Sequence, residues 1–127
     1  MTQRKIIHTS KAPEAIGPYS QAIDTGDVVY VSGQIPLDPA TGSFAGDDVS
    51  TQTKQVMENV KAIVEASGSS MNKVIKCSIF LADMGDFQTV NEIYGSYFGD
   101  EPPAREAIAV KTLPKNAKVE VSCITGK

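Results

Sequence analysis

The sequence predicts a single α+β domain in which two helices cover one face of a mixed sheet. Three observations predict this fold: the length of the chain, the presence of both strand-like and helix-like runs, and the order of those runs. The chain has 127 residues, and 41% of them are hydrophobic. That is enough for one packed core and too little for two. We therefore predict one domain, residues 1–127.

The strands are predicted from short runs rich in β-branched and aromatic residues, bounded by glycine, proline or aspartate. The predicted strands are residues 6–9, 19–25, 28–32, 74–81, 104–110 and 118–124. The third is expected to stop at Gly33, where the segment 33–39 with its two prolines breaks the pattern.

Two further runs carry apolar residues at helical spacing. Asp47 or Asp48 can cap the first helix, which Gly68 can end. Asp86 can cap the second, and Gly99 can end it. The first stripe comprises Val49, Thr53, Val56, Met57, Val60, Ile63 and Val64, and the second comprises Phe87, Val90, Asn91, Tyr94 and Phe98. The order β-β-β-α-β-α-β-β is typical of helices on one face of a mixed sheet.

Two helices leave the second face of the sheet uncovered, so that face must be polar or be covered by another subunit. Several strands carry apolar residues on both faces. In the fourth strand, Ile75, Cys77, Ile79 and Leu81 are predicted on one face, and Val74, Lys76, Ser78 and Phe80 on the other. We therefore predict a homo-oligomer that buries the second face.

Composition argues against several classes of partner. The net charge is −3, with 12 basic and 15 acidic residues spread along the chain, so nucleic acid and anionic membranes are poor first candidates. No apolar stretch approaches the roughly 20 residues that span a bilayer. No secretory segment follows residues 1–5, and we predict a cytoplasmic protein.

Metal and redox chemistry are also not predicted. Cys77 and Cys123 are expected to be buried, reduced thiols, and whether they meet across the sheet is left open. His8 is the one histidine, so a catalytic triad or a zinc site would lack companions, and His8 is expected to be an exposed strand residue. We predict no metal and no cofactor.

Arg105 is the residue that most needs an explanation, because it lies at the start of a strand that is otherwise half-buried. An unpaired buried cation is costly, and the planar guanidinium matches a carboxylate through two parallel hydrogen bonds. Two partners are possible. One is a carboxylate of the protein, such as Glu120, and the other is the carboxylate of a small acid held in a cleft.

Other residues also allow a structural and a functional interpretation. Asn91 lies on the apolar stripe of the second helix, either as a buried amide satisfied by the backbone or facing a polar ligand. Glu120 is either an exposed or cross-strand paired carboxylate, or one that orients a water molecule. The junctions around Tyr19 and around Ser32 and Gly33 are either simple turns or the wall of a pocket.

Several motifs in register carry a family resemblance. They are AP at 12–13, IGPYSQA at 16–22, VSGQIPLDPATG at 31–42, FLADM at 80–84, DF at 86–87 with VN at 90–91, PAR at 103–105, LPK at 113–115 and VEV at 119–121. Over essentially its whole length the chain resembles the RidA (YjgF) family of reactive-intermediate deaminases.

This resemblance implies a chorismate-mutase-like α+β fold and a homotrimer with three ligand clefts between neighbouring subunits. It implies hydrolysis of short-lived 2-imino acids, which form from enamines such as 2-aminoacrylate and 2-aminocrotonate, to 2-oxo acids and ammonia. It also implies a functional link to the PLP-dependent serine and threonine dehydratases that release those enamines, and no cofactor of its own.

The resemblance also assigns roles to residues of this chain. Arg105 would clasp the substrate carboxylate, Glu120 would hold the attacking water, and the backbone at Ala107 would face the reacting nitrogen. The other cleft residues would be Tyr19, Ser32, Gly33 and Asn91. Gly33 would contribute its backbone amide.

Two positions depart from the family pattern. Ala107 stands where many bacterial members carry cysteine, so any thiol-dependent behaviour there is lost. Glu106 stands where a small polar residue is common, and it places an extra negative charge next to Arg105.

Two other functions compete with deamination. One is a small-acid-binding or chaperone-like protein that uses the same clefts without turnover. The other is a ribonuclease or translation inhibitor, which the acidic balance and the single histidine disfavour.

Overall fold

A computed structural model describes residues 3–127, so the first two residues of the predicted domain lie outside the described part. The strands are β1 (Lys5–Ile7), β2 (Ala22–Asp24), β3 (Val28–Gln34), β4 (Val74–Leu81), β5 (Ala104–Ala109) and β6 (Val119–Gly126). The helices are α1 (Val49–Ala66) and α2 (Phe87–Gly95), with short 3-10 turns at Met71–Lys73, Met84–Asp86 and Pro114–Asn116. The predicted order of strands and helices is confirmed.

The strands form one mixed sheet of order β1-β2-β3-β6-β4-β5. Only β4 and β5 are parallel, and the remaining neighbours are antiparallel. The last strand of the chain, β6, therefore lies near the centre of the sheet. Both helices pack on one face, which confirms the predicted α+β architecture.

Helix α1 begins at a side-chain cap and buries an apolar stripe. Asp48 accepts a hydrogen bond from the Thr51 amide at 2.9 Å, so Asp48 and not Asp47 caps the helix. Gly68 follows the last turn with a φ of +89°, a conformation that glycine adopts without strain. Val56, Met57, Val60, Ile63 and Val64 are all inaccessible to solvent.

Helix α2 differs from its prediction at both ends. Asp86 makes no side-chain cap bond, because its own backbone is helical and a 3-10 turn capped by Asp83 leads into the helix. The helix ends at Gly95 and not at Gly99, and the chain leaves it through 3-10-type bonds from the Tyr97 amide to the Tyr94 carbonyl and from the Phe98 amide to the Gly95 carbonyl, each 3.1 Å. Phe98 lies beyond the helix, yet its ring packs 4.9 Å from the ring of Tyr94.

Strand β4 has the predicted bounds, but one assignment of faces is wrong. Its register passes from Val74 opposite Thr125 to Lys76 opposite Ile124, so Ile75 is the extra residue of a bulge. As a result Val74 is buried and Ile75 is 49% exposed. The predicted break at Gly33 is also wrong, because β3 continues to Gln34 through an irregularity in its pairing.

The first two strands are shorter than predicted because a side chain replaces part of the backbone ladder. Gln21 is buried; its Oε1 accepts from the Thr9 amide at 2.8 Å, and its Nε2 donates to the Thr9 carbonyl at 3.1 Å. His8 therefore lies just after β1. It is exposed, and its Nε2 is 3.0 Å from the Glu14 carboxylate.

The two cysteines are directly opposite one another in the pairing of β4 with β6. Cys77 and Cys123 are both buried and are not linked, as predicted, and burial raises the pKa of each thiol. Neither helix is long and apolar enough to cross a membrane, as judged over the described residues. The cytoplasmic location stays a prediction.

The face of the sheet without helices, called here the open face, is only partly polar. It carries Tyr30, 51% exposed, and Ile108, 46% exposed, beside polar residues such as Lys76 and Ser122. A monomer would leave these apolar side chains in water. That another subunit covers the open face therefore stays a prediction.

The Asp48 cap gives a testable prediction. Asp48→Ala should lower the melting temperature by several degrees, because the Thr51 amide loses its acceptor. The matched control is Asp47→Ala, one residue outside the cap, which should melt close to wild type. Thermal unfolding followed by circular dichroism measures both variants. Equal melting temperatures for the two variants would show that Asp48 does not stabilise the helix.

Candidate active site

Arg105 lies on the edge strand β5 and points to the face that the helices cover. It pairs with Cys77 in the parallel register of β4 and β5, and Cys77 is buried against the helices. Its Nη1 donates to Asn91 Oδ1 at 2.5 Å. The guanidinium carbon lies 5.4 Å from the ring centre of Phe87 and 5.3 Å from that of Tyr94. We call Phe87, Asn91, Tyr94, Arg105 and Ala107 the arginine cluster.

The helical repeat brings the three α2 residues of this cluster together. Phe87, Asn91 and Tyr94 are spaced i, i+4 and i+7, so they share one face of the helix. Ala107 is two residues after Arg105 on β5, opposite the buried Ile79, and so it shares the face of Arg105. Asn91 is thus not satisfied by the backbone. Its carboxamide orients the arginine.

Tyr94 is the most buried aromatic residue of the cluster, 4% exposed. Its hydroxyl has no hydrogen-bond partner among residues 3–127, although the thiol of Cys77 lies nearby. Burial raises the pKa of Tyr94 strongly, with a further rise from Cys77, so the phenol stays neutral. Arg105 consequently faces two uncharged aromatic rings and one amide.

Glu120 lies on the central strand β6 and points to the open face. It is opposite Phe80 of β4 and half-buried, and burial raises the pKa of its carboxyl above the ordinary value. Within the described range 3–127 no basic side chain pairs with it; the ion pairs there join His8 to Glu14, Lys76 to Glu106 and Lys127 to Asp24. A partly buried, unpaired carboxylate is a candidate functional group.

The backbone of β3 makes room for this carboxylate. A Cβ atom on Gly33 would lie 2.3 Å from Glu120 Oε2, so a side chain at position 33 would displace Glu120. Next to it, the Ser32 hydroxyl donates to the Ser20 carbonyl at 2.6 Å and holds the loop that carries Tyr19, which is 52% exposed. We call Tyr19, Ser32, Gly33 and Glu120 the glutamate cluster.

The predicted site residues on the strands therefore fall into two groups on opposite faces of the sheet, one around Arg105 and one around Glu120, and Tyr19 lies on the loop that Ser32 holds. Paired residues of neighbouring strands share a face, which places Arg105 with Cys77 under the helices and Glu120 with Phe80 on the open face. The suggested cross-strand pair of Arg105 with Glu120 is not formed within the chain. A single chain does not contain one cleft lined by all seven predicted residues.

Glu106 does not crowd the arginine, because it points away from it. It pairs with Ser78 in the strand register, accepts a hydrogen bond from the Ser78 hydroxyl, and lies 3.1 Å from Lys76 Nζ. The hydrogen bond from Ser78 and then the ammonium of Lys76 lower the pKa of the Glu106 carboxyl. The extra negative charge is thus held on the open face.

Sequence reasoning missed the contact of Phe87 and Tyr94 with Arg105. Both were assigned to an ordinary core stripe. The available signal was the spacing of two aromatic residues around Asn91 on one helical face.

No group of three His, Cys, Asp or Glu side chains that could hold a metal is present in the part of the chain that the structure describes.

Comparison with known proteins assigns the chain to a family. The family model described as endoribonuclease L-PSP matches residues 9–126. The chain belongs to the RidA (YjgF) family. The RutC family protein PH0854 of Pyrococcus horikoshii is 49% identical over 98% of both chains. The 2-iminobutanoate/2-iminopropanoate deaminase of Mus musculus is 47% identical over 95% of this chain and 90% of the relative.

The fold is likewise that of RidA-family structures. The structure of TdcF from E. coli with bound serine has a TM-score of 0.92 and 44% identity, covering 97% of this chain and 98% of TdcF. The RidA-like α+β fold that the motifs implied is thereby confirmed. The RidA family includes imine deaminases.

The unpaired Glu120 predicts a pH dependence of stability with a definite sign. With its folded pKa raised, the folded state holds the proton more tightly than the unfolded one, so ionisation destabilises the fold as the pH rises above about 4.3. Glu120→Gln lacks this ionisation. The melting temperature of Glu120→Gln minus that of wild type should therefore increase as the pH rises from 4 to neutrality, as measured by thermal unfolding.

Glu106→Gln is the matched control, because the lowered pKa of Glu106 gives the opposite sign. That variant should lose stability relative to wild type as the pH rises over the same range. If Glu120→Gln followed the trend of Glu106→Gln, the pKa of Glu120 would not be raised in the folded protein, and its proposed role as a base would lose this support.

Proposed function

We propose that this protein hydrolyses 2-iminopropanoate and 2-iminobutanoate, formed from 2-aminoacrylate and 2-aminocrotonate, to 2-oxo acids and ammonia. The proposal rests on the exposed and unpaired state of the Arg105 side chain. Its guanidinium side chain is exposed and oriented by Asn91, and no carboxylate of residues 3–127 neutralises it. The mouse relative, a 2-iminobutanoate/2-iminopropanoate deaminase, supports the same substrate class.

Arg105 acts as a clamp for the substrate carboxylate. Asn91 accepts from one N–H group of the guanidinium, and further N–H groups remain for a ligand. Two parallel hydrogen bonds to a carboxylate fix both its position and its plane. The imine carbon next to that carboxylate is then held in one orientation, which is the part of catalysis that comes from positioning.

Glu120 supplies the chemistry at the other end of the substrate. It accepts a proton from water as the oxygen attacks the imine carbon, and a carbinolamine forms. The imine nitrogen takes up that proton and becomes the amino group of the carbinolamine. Glu120 then carries the hydroxyl proton to this nitrogen, the C–N bond breaks, and ammonia leaves as the carbonyl of the 2-oxo acid forms. A raised pKa brings the carboxylate closer to the working pH, which improves it as a base. The imine carbon is already electrophilic, so no cofactor is required.

The geometry of the two clusters supports a site shared between copies. The arginine cluster lies under the helices at the edge strand, and the glutamate cluster lies on the open face. A second copy that covers the open face could bring its Arg105 edge to the Glu120 of the first. We propose a homotrimer with three such clefts, working in the cytoplasm beside PLP-dependent dehydratases that release the enamines.

The description of the family model raises a second function, an endoribonuclease. Phosphate binding relies on clustered basic residues, whereas this chain has a net charge of −3 and no basic run. A third possibility is a small-acid-binding or chaperone-like protein without turnover. That protein would need Arg105 but would tolerate the loss of Glu120.

The first test of the function is Arg105→Lys. Lysine keeps the charge and loses the planar fork, so deamination and affinity for the unreactive 2-oxobutanoate should both fall by about 10- to 100-fold. A dehydratase generates the enamine in situ, ketoacid formation gives the rate, and calorimetry gives the affinity. Arg4→Lys makes the same exchange at the chain's other arginine, which is exposed, and is the control.

The same assay separates the rival functions. Glu120→Gln should lose about 10²- to 10⁴-fold in rate while keeping its affinity for 2-oxobutanoate. An unchanged rate in Glu120→Gln would favour binding without catalysis. Wild-type rates in Arg105→Lys would remove the clamp and with it the proposed function.

A mixing experiment tests whether each cleft is shared. Arg105→Ala and Glu120→Gln should each be inactive alone. Dissociated and reassembled together in equal amounts, they should recover about a quarter of wild-type activity, because one cleft in four receives both intact residues when trimers form at random. The molar mass measured by light scattering should be about three times that of one chain. No recovery from well-mixed trimers would mean that each site lies within one chain.

A further inference from the structure

The arginine cluster contains two aromatic rings that the proposed mechanism does not use. The guanidinium carbon of Arg105 lies 5.4 Å from the ring centre of Phe87 and 5.3 Å from that of Tyr94, inside the range of cation–π attraction. We propose that Phe87 and Tyr94 are positioning residues, which hold the guanidinium through their π faces so that its N–H edge stays free for the ligand carboxylate. This inference rests on the proposed function, since it concerns the same clamp.

The physical argument begins with what the arginine lacks. No carboxylate among the described residues compensates its charge, so ordinary ion pairing does not hold it in place. A protein carboxylate would occupy the same N–H groups that a ligand needs. An aromatic face attracts the cation without accepting those hydrogen bonds. The rings thus stabilise the cation and leave its binding edge available.

The rings and the amide restrain different motions of the guanidinium. Asn91 Oδ1 accepts from Nη1 and fixes the direction of that edge. Phe87 and Tyr94, one turn before and one turn after Asn91, restrain the position of the guanidinium relative to the helix. Tyr94 is neutral and buried, so it contributes a π face and no competing charge. A preorganised side chain loses less entropy on binding a ligand.

The decisive experiment changes the electrostatics of the Phe87 ring with little change of its shape. Phenylalanine carrying one, two or three ring fluorines is introduced at position 87, which weakens the negative face step by step. Affinity for 2-oxobutanoate should fall in the same graded order, to about three- to tenfold below wild type for three fluorines. KM for the imino acid should rise in parallel, with a smaller change in kcat.

Two controls separate this effect from stability. The same fluorinated residues at Phe44, a half-buried ring in the segment between β3 and α1 that is not part of the arginine cluster, should leave affinity and KM unchanged. Tyr97→Leu removes an aromatic ring near the end of α2 whose hydroxyl bonds Glu58, and it tests whether a loss of stability alone lowers affinity. Affinity that does not depend on fluorination at position 87 would overturn the inference.

A readout without ligand distinguishes this inference from the proposed function. NMR of the Arg105 N–H groups measures the rate of rotation about its Cζ–Nε bond. This rotation should become faster with each fluorine at position 87. If wild type neither binds 2-oxobutanoate nor deaminates, the proposed function fails, and this rotation still decides whether the rings hold the arginine. Rotation that is equally fast in all variants would show that they do not.

Discussion

The alternation of side chains along β6 is the constraint on which the rest of the molecule depends. Val119, Val121 and Cys123 are at most 4% exposed beneath the helices, so the residues between them must point to the open face. Since β6 pairs with both β3 and β4, its register decides which face each of their residues takes. A shift by one residue would bury Glu120 and expose the core. The position of the carboxylate is therefore fixed by the same packing that stabilises the fold.

The edge position of β5 explains how an arginine can lie on the covered face and remain accessible. The Arg105 side chain reaches Asn91 of helix α2 and stays exposed. On the opposite side, the open face mixes exposed apolar residues such as Tyr30 and Ile108 with polar ones. In the proposed trimer, a second copy of the chain would both cover those apolar residues and complete a cleft around Glu120.

Local patterns predicted the elements of the fold well and the arrangement of the site poorly. The bounds of β4 follow from neighbouring residues and were predicted, and the same local patterns limited the cap of α1 to Asp47 or Asp48. The bulge at Ile75 was missed because it depends on pairing with β6, far along the chain. Residue types singled out Arg105, Asn91 and Glu120 as candidates for the site, whose chemistry stays a proposal. The division of the site between two faces requires the strand order, in which β6 lies between β3 and β4, and no local pattern contains that order.

The distribution of charge also bears on how a substrate would lie in the proposed cleft. Ser78 and Lys76 hold Glu106 on the open face, so the charge of Arg105 is not cancelled by its neighbour in sequence. A substrate with a carboxylate at one end and an imine at the other would meet a cation on one subunit and a carboxylate on the next. Attraction at Arg105 and repulsion at Glu120 both favour the orientation with the substrate carboxylate at the arginine. The reverse orientation would bring two carboxylates together beside a partly buried group, where the cost is greater than in water. In the proposed mechanism, the two unpaired charges therefore favour one direction of binding, the direction that would place the imine carbon beside a water molecule held by Glu120.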